Sequence, residues 1–233
     1  PPASQYFSNK YLSNPAQAGA GKQVGLLSTV SYIGQMEAIP GSPSTKLLTL
    51  DFKSDGNVGL GFLITKESAG LLNNTRVMGT YSYKVDFNAE GTTNLRLGLS
   101  FGYTRQMLDM SLVNGTAGDA SVLGYNNRSA LIDADMGFVY TDRKFTLEGA
   151  AHNLRRSLEK SYNTESDFAL YYTAMSYNIQ LNSEIGLTPK IAYRGVKNYD
   201  NIADFGAELN FKEPLKIMAM YHSTKSTSIG FQY

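Results

Sequence analysis

Apolar and polar positions alternate with a period of two along most of this chain, from about Gln23 to the last residue. That spacing places successive side chains on opposite faces of β-strands. Ala203–Phe211 is the cleanest stretch: Ala203, Phe205, Ala207, Leu209 and Phe211 fall on one face, and Asp204, Gly206, Glu208 and Asn210 on the other. Leu95–Arg105, Ile132–Tyr140, Ile185–Arg194 and Ile229–Tyr233 repeat the scheme. The pattern predicts about twelve strands, near residues 23–34, 44–54, 58–67, 74–87, 92–108, 129–141, 144–153, 167–178, 183–195, 201–211, 215–222 and 226–233.

Alternation alone does not say which face meets what. In a soluble sandwich the apolar face is the core; in a membrane barrel it meets lipid and the polar face lines the lumen. Three features favour the barrel. The second, fourth, sixth, eighth and tenth connections are short turns, such as Ser54-Asp55-Gly56-Asn57 and Thr141-Asp142-Arg143-Lys144, whereas the first, fifth, seventh and ninth are mostly longer, with the longest between Asp109 and Arg128. Glycines and charges of both signs share the minor face, where exposed strands would be weakened by glycine. The chain stops at an aromatic residue, Tyr233, in an alternating strand, much as outer-membrane barrels end. The expected fold is therefore all-β, a transmembrane antiparallel β-barrel of about 12 strands with both termini periplasmic. Residues 1–22 would form an N-terminal periplasmic or lumenal segment, and residues 23–233 the outer-membrane barrel. Phe52, Phe62, Tyr81, Tyr83, Tyr140, Tyr193 and Tyr221 would supply interfacial aromatics.

Composition narrows the function. With 233 residues, 21 Lys+Arg against 20 Asp+Glu and a net charge of +1, the chain lacks the concentrated basic footprint of a nucleic-acid binder. It has no cysteine, so disulfides, thiolate metal sites and cysteine catalysis are excluded. Mean hydropathy is −0.25, and no window approaches the roughly 18 apolar residues of a spanning helix. The sequence contains 16 Tyr, 11 Phe and 22 Gly but no Trp, a mixture suited to many strands. The first residues carry no basic-then-apolar leader.

Candidate chemistry is sparse. Gly98-Leu99-Ser100-Phe101-Gly102 matches the G-x-S-x-G nucleophile pattern, but its flanks continue the strand alternation where the motif needs a sharp turn. His152 and His222 are the only histidines; serines Ser157, Ser223 and Ser226 lie near them, without an identifiable orienting acid. An outer-membrane hydrolase is thus the weakest alternative, and no catalytic, cofactor or metal residue is assigned. Asp133, Asp135 and Glu148 are expected to point inward beside Arg96, Lys190 or Arg194, as a network filling a small barrel or as a selectivity element. Outer loops bearing Tyr125, Arg128, Arg155, Arg156, Tyr162 and Tyr199 are the candidate partner-binding surface, since Tyr and Arg serve interfaces well.

The segment Gln5-Tyr6-Phe7-Ser8-Asn9-Lys10-Tyr11-Leu12-Ser13-Asn14-Pro15-Ala16-Gln17-Ala18-Gly19 resembles the opening of the PorP/SprF family of type IX secretion system membrane proteins, a QY-x-x-N-x-Y-x-x-NPA-x-AG pattern. Pro43–Phe52 with Val58–Phe62, and Asp133–Tyr140 with Phe145–Leu154, are also similar to hairpins of that family. The resemblance implies an outer-membrane protein of Bacteroidota-type bacteria linked to type IX export and gliding motility. It would bind, deliver or anchor a secreted surface protein or adhesin with a C-terminal sorting domain. Other type IX components and outer-membrane lipid are implied as partners, and the family brings no catalytic residues. A passive small-solute channel is the alternative. Asn14-Pro15 cannot continue a β-ladder, so the Gln5–Gly19 segment is expected to tuck into the lumen or the periplasm.

Overall fold

A computed structural model describes residues 9–21, 23–34, 41–109, 120–155, 170–196, 201–211 and 215–232. The alternating segments form β1 (Gly25–Gly34), β2 (Ser44–Lys53), β3 (Val58–Ala69), β4 (Leu72–Asp86), β5 (Thr93–Leu108), β6 (Leu131–Asp142), β7 (Phe145–His152), β8 (Leu170–Tyr177), β9 (Ile179–Gln180), β10 (Ile185–Val196), β11 (Ile202–Phe211), β12 (Lys216–His222) and β13 (Ser226–Gln232). Every described ladder is antiparallel, and all thirteen strands belong to one sheet in sequence order. The count exceeds the expected twelve because Asn178 interrupts one strand: β8 and β9 lie in line, both paired along β10. Among the described residues no ladder joins β1 to β13.

The hairpins explain the register. β6 and β7 are joined by Arg143 and Lys144, with Arg143 at φ 51°, in a region where non-glycine residues are uncommon. Gly70, at φ 57°, turns β3 into β4 over two residues, and Asn88 accepts a hydrogen bond from Thr93 N at 3.1 Å to close the β4–β5 turn. The expected sorting of short and long connections holds for β5–β6 and β7–β8. The β3–β4 and β12–β13 turns, which that expectation did not include, have two and three residues.

The two faces are inverted relative to a soluble sheet. Asp204 is 0% exposed while its strand neighbour Phe205 is 51% exposed. On β5, Leu97, Leu99, Phe101 and Tyr103 are exposed while Ser100 and Thr104 are buried. Of the seven expected interfacial aromatics, Phe52, Phe62, Tyr81, Tyr83, Tyr193 and Tyr221 are exposed, and Tyr140 is half-buried. Apolar surface so extensive is not left to water in a soluble monomer; polar-in, apolar-out strands are the membrane-sheet arrangement. No described helix is long and apolar enough to cross a membrane.

The polar face is filled by the chain's own N-terminal segment. It consists of a single helical turn, α1 (Lys10–Ser13), and a 3₁₀ turn, Pro15–Gln17. Asn9 caps the first by accepting from Leu12 N, and Asn14 caps the second by accepting from Ala16 N. Pro15 opens the second turn, where its missing N–H costs nothing. Gln17 reaches Glu148 on β7, and Gly19 N donates to Asp51 on β2. Those strands would stand about 24 Å apart in a flat sheet, whereas Gln17 and Gly19 are separated by at most about 7 Å of chain. The sheet therefore curls around the segment.

Glycines make that contact possible. A Cβ at Gly98 would meet the backbone of Pro15 and Ala16, at Gly59 the carbonyl of Ala18, at Gly137 the Asn14 side chain, and at Gly61 the Tyr11 ring. Gly98→Ala should displace the segment and destabilise the fold by about 1–3 kcal/mol, the usual range for overpacking. Denaturant midpoints in lipid vesicles, with protease cleavage between residues 9 and 21 as the second readout, check this; unchanged cleavage would contradict the packing.

Candidate functional site

Residues 9–21 are tied to the sheet by a ring of polar contacts. Asn9 Nδ2 donates to Thr49 Oγ1 at 2.8 Å, and the Tyr11 hydroxyl shares a 2.7 Å hydrogen bond with Thr80. Asn14 Nδ2 donates to the Phe138 carbonyl at 3.0 Å. Ser82 Oγ donates to the Ala18 carbonyl at 2.5 Å, and Arg96 bridges the Ala18 and Gly19 carbonyls at 3.3 Å each. His152 Nε2 donates to the Ser13 carbonyl at 2.9 Å. Burial pushes the Tyr11 hydroxyl up to about 12, so it remains neutral at any physiological pH.

Beyond the segment the polar face is laid out in three tiers. Nearest the short turns lies a cavity of about 460 Å³ between β7 and β12. At its inner margin Glu148 accepts from Lys190 Nζ at 2.5 Å, from Tyr172 at 3.1 Å and from Gln17 at 3.1 Å. The middle tier is apolar: Ala150, Tyr172, Ala174, Ala192, Met218 and Met220 form one buried cluster. The third tier, at the end bearing the long connections, is charged again. Arg194 grips both oxygens of Asp204 at 2.7 and 3.0 Å, and His222 Nδ1 donates to Asp204 Oδ1 at 2.5 Å. A second charged set at that end joins Arg76 to Asp135 at 2.6 Å, with His152 Nδ1 3.3 Å from the same carboxylate.

Several expected neighbours are thereby reassigned. Glu148 does meet Lys190, but Asp135 takes Arg76 rather than Arg96, because Arg96 is occupied by the carbonyls of the N-terminal segment. Arg194 belongs to Asp204. Asp133 accepts from the backbone N–H of Arg155 at 3.1 Å and so anchors the chain leaving β7.

The candidate nucleophile Ser100 sits within unbroken β5, buried and bonded to Thr80 Oγ1 at 2.6 Å, without the turn that a nucleophile elbow requires. His222 has a partner acid that sequence reasoning missed, Asp204, and its Nε2 lies 2.9 Å from Ser228 Oγ. The order resembles an acid–base–nucleophile relay. However, Arg194 neutralises the Asp204 carboxylate that such a relay uses to stabilise an imidazolium. Ser157 lies outside the described residues. Among the described residues, no three His, Asp or Glu side chains converge as a metal site would need.

Of the six expected partner-binding residues, Tyr125, Arg128 and Arg155 are described, whereas Arg156, Tyr162 and Tyr199 lie outside the described residues. Tyr125 belongs to a short helix, α2 (Ala120–Asn126), pinned to the end of β5 by Asn126, whose side chain bonds both Leu108 N and Leu108 O at 2.7 and 3.0 Å. The Tyr125 hydroxyl donates to Gln106 at 3.0 Å, and the exposed Arg128 guanidinium stacks 4.4 Å above its ring. Arg155, half-buried, follows β7 at the same end of the sheet.

An apolar-out, polar-in antiparallel sheet curled around its own N-terminal segment, with no described helix able to span a bilayer, has the make-up of a membrane β-protein. The chain belongs to the PorP/SprF family of type IX secretion system membrane proteins, which it matches over residues 1–233. No curated protein and no solved structure matches it. The family's opening pattern now has a physical meaning: Asn9, Tyr11, Asn14, Pro15, Ala16, Ala18 and Gly19 are the residues that touch the sheet or shape the turns facing it.

The Glu148–Lys190 pair is enclosed, its side chains being 5% and 6% exposed. Lys190→Met alone should cost about 3–5 kcal/mol, because it strands a buried carboxylate, and adding Glu148→Gln should restore most of the loss. Urea unfolding in lipid vesicles measures both; equal destabilisation by the single and double variants would show the pair to be unimportant.

Proposed function

We propose that this protein is an outer-membrane β-barrel that binds a secreted surface protein at its long-loop end and delivers or anchors it there. Family membership supports a role in type IX secretion, and the observation that carries the finer reading is the Tyr125–Arg128 stack. It is held on a helix whose only described anchorage is the rim of β5, and it presents an exposed guanidinium over an aromatic ring. Planar, weakly hydrated groups of this kind make good protein contacts. The passive-channel alternative is less well supported, because the N-terminal segment and the methionine–alanine tier occupy the polar face at mid-height.

The test is native purification of the tagged protein from its own membrane, followed by mass spectrometry. A large surface protein with a type IX sorting domain should co-elute from the parent and be lost from Arg128→Glu/Arg155→Glu, with protein yield unchanged. A barrel recovered repeatedly alone would overturn the reading.

The barrel itself requires β1 to meet β13, since hydrocarbon tolerates no unpaired strand edge. The native chain contains no cysteine, so paired cysteines report cleanly. One member of a short scan across Ser28 or Val30 with Thr227 or Ile229 should form a disulfide in native membranes. Absence of any cross-link in the scan would mean that another chain covers these edges.

A further inference from the structure

We infer that the cavity at the short-turn end is a binding site for a carboxylate carried on a flexible polar chain. It lies at the opposite end of the sheet from Tyr125 and Arg128, and the inference stands independently of the surface-protein reading.

The cavity, about 460 Å³, is large enough for a small ligand. Its inner side is bounded by described residues: Lys10 and Gln17 of the N-terminal segment line it, and beyond Glu148 and Lys190 comes the buried tier of Ala150, Ala192 and Met218. A recess bounded inward by a buried tier suits retention rather than passage. Thr146, Ser176, Asn178, Gln180, Thr188 and Asn210 line its walls with donors and acceptors suited to peptide-like amides.

Its charge selects the sign of the ligand. Among the groups lining the cavity, Glu148 is already satisfied by Lys190, Tyr172 and Gln17. Glu208 has Lys216 at 3.8 Å, and with Glu184 the lining carries three carboxylates against four ammonium groups. Lys10 and Lys144 line the same space, both exposed to it, and neither forms an ion pair with a described residue. Enclosure by protein lowers the Lys10 ammonium from its usual value, with Glu208 opposing the shift. A bound anion would relieve that penalty, and two ammonium groups at the ends of flexible stems can close on one carboxylate. The carboxylate could be the C-terminus of a peptide or part of a small dicarboxylate.

The probes are acetyl-tetra-alanine with a free C-terminus, the same peptide as its C-terminal amide, and succinate, titrated calorimetrically into the intact protein in detergent. The free acid should bind saturably and at least about tenfold more tightly than the amide, the factor that one charge-assisted contact supplies. Lys10→Gln and Lys144→Gln should each weaken the acid toward the amide's affinity, while Lys66→Gln on another part of the sheet should not. Because Lys10 and Lys144 are exposed, loss of folding does not complicate the comparison. Binding of succinate without the peptide would assign the site to small dicarboxylates. Equal affinity for acid and amide, insensitivity to both lysines, or no saturable binding of either anion at millimolar concentration would overturn the inference.

Discussion

Residues 14–19 lie directly against three strands, at a separation that leaves no room for a further side chain. Gly59, Gly98 and Gly137 stand on β3, β5 and β6 at the points of closest approach, and Gly19 itself takes φ 66° beside Gly59. A strand interior usually suffers from glycine, which contributes no packing and loses more entropy on folding. Here the missing side chains are replaced by the segment, so what would be holes in the polar face become its contact surface. The hydrogen bonds follow from that proximity: once the Ala18 and Gly19 carbonyls sit over β4 and β5, Ser82 and Arg96 can reach them.

The same constraint shapes the charges. A polar face shut away from water must satisfy each carboxylate and ammonium locally, because an unpaired buried charge is far costlier than an unpaired surface one. Three acids on the face accordingly have their own cations, Asp135 with Arg76, Glu148 with Lys190 and Asp204 with Arg194, while Asp51 is met by the Gly19 backbone N–H. The tier between them is apolar, with Met218 and Met220 covering the spaces opened by Gly230 and Gly206. Flexible, unbranched methionine suits such an irregular gap better than a β-branched residue. Charge therefore appears as islands, one beside the segment and others near the long connections, separated by a dry layer.

How much of this was legible beforehand differs by level. Period-two alternation located the strands to within a few residues, because a side chain's face depends only on its place in its own strand. The inversion of faces on Ala203–Phe211 could be argued only indirectly, since lipid and core demand the same local pattern. Partners across strands were less accessible. Asp135 was expected beside Arg96, Lys190 or Arg194, yet its cation is Arg76, while Arg96 is taken up by the segment's carbonyls. Asp204, the acid beside His222, lies eighteen residues away and becomes its neighbour only through the β11–β12 ladder. The strand break at Asn178 left no mark in the alternation, because β8 and β9 keep one register along β10 on both sides of it. The opening pattern was conspicuous as a motif, but its contacts, spread from β2 to β7, are properties of the curled sheet.

That distribution bears on where any partner can act. Between the charged islands the polar face is occupied by residues 9–21 and by the methionine–alanine tier, and the opposite face is apolar along most strands. A macromolecular partner is therefore left chiefly the two ends of the sheet. At the long-connection end α2 is fixed to β5 through both hydrogen-bonding groups of Leu108, and the Arg128 guanidinium stacks on the Tyr125 ring there, the arrangement on which the proposed partner contact rests. Pre-positioned aromatic and guanidinium groups lose little entropy on binding. The short-turn end is different in kind, a recess with flexible lysines, better matched to a small ligand or a chain end than to a folded surface. The N-terminal segment touches both, through Lys10 at the recess and through Ser13 on His152 near the long connections, which makes it the physical link between the two ends of the molecule.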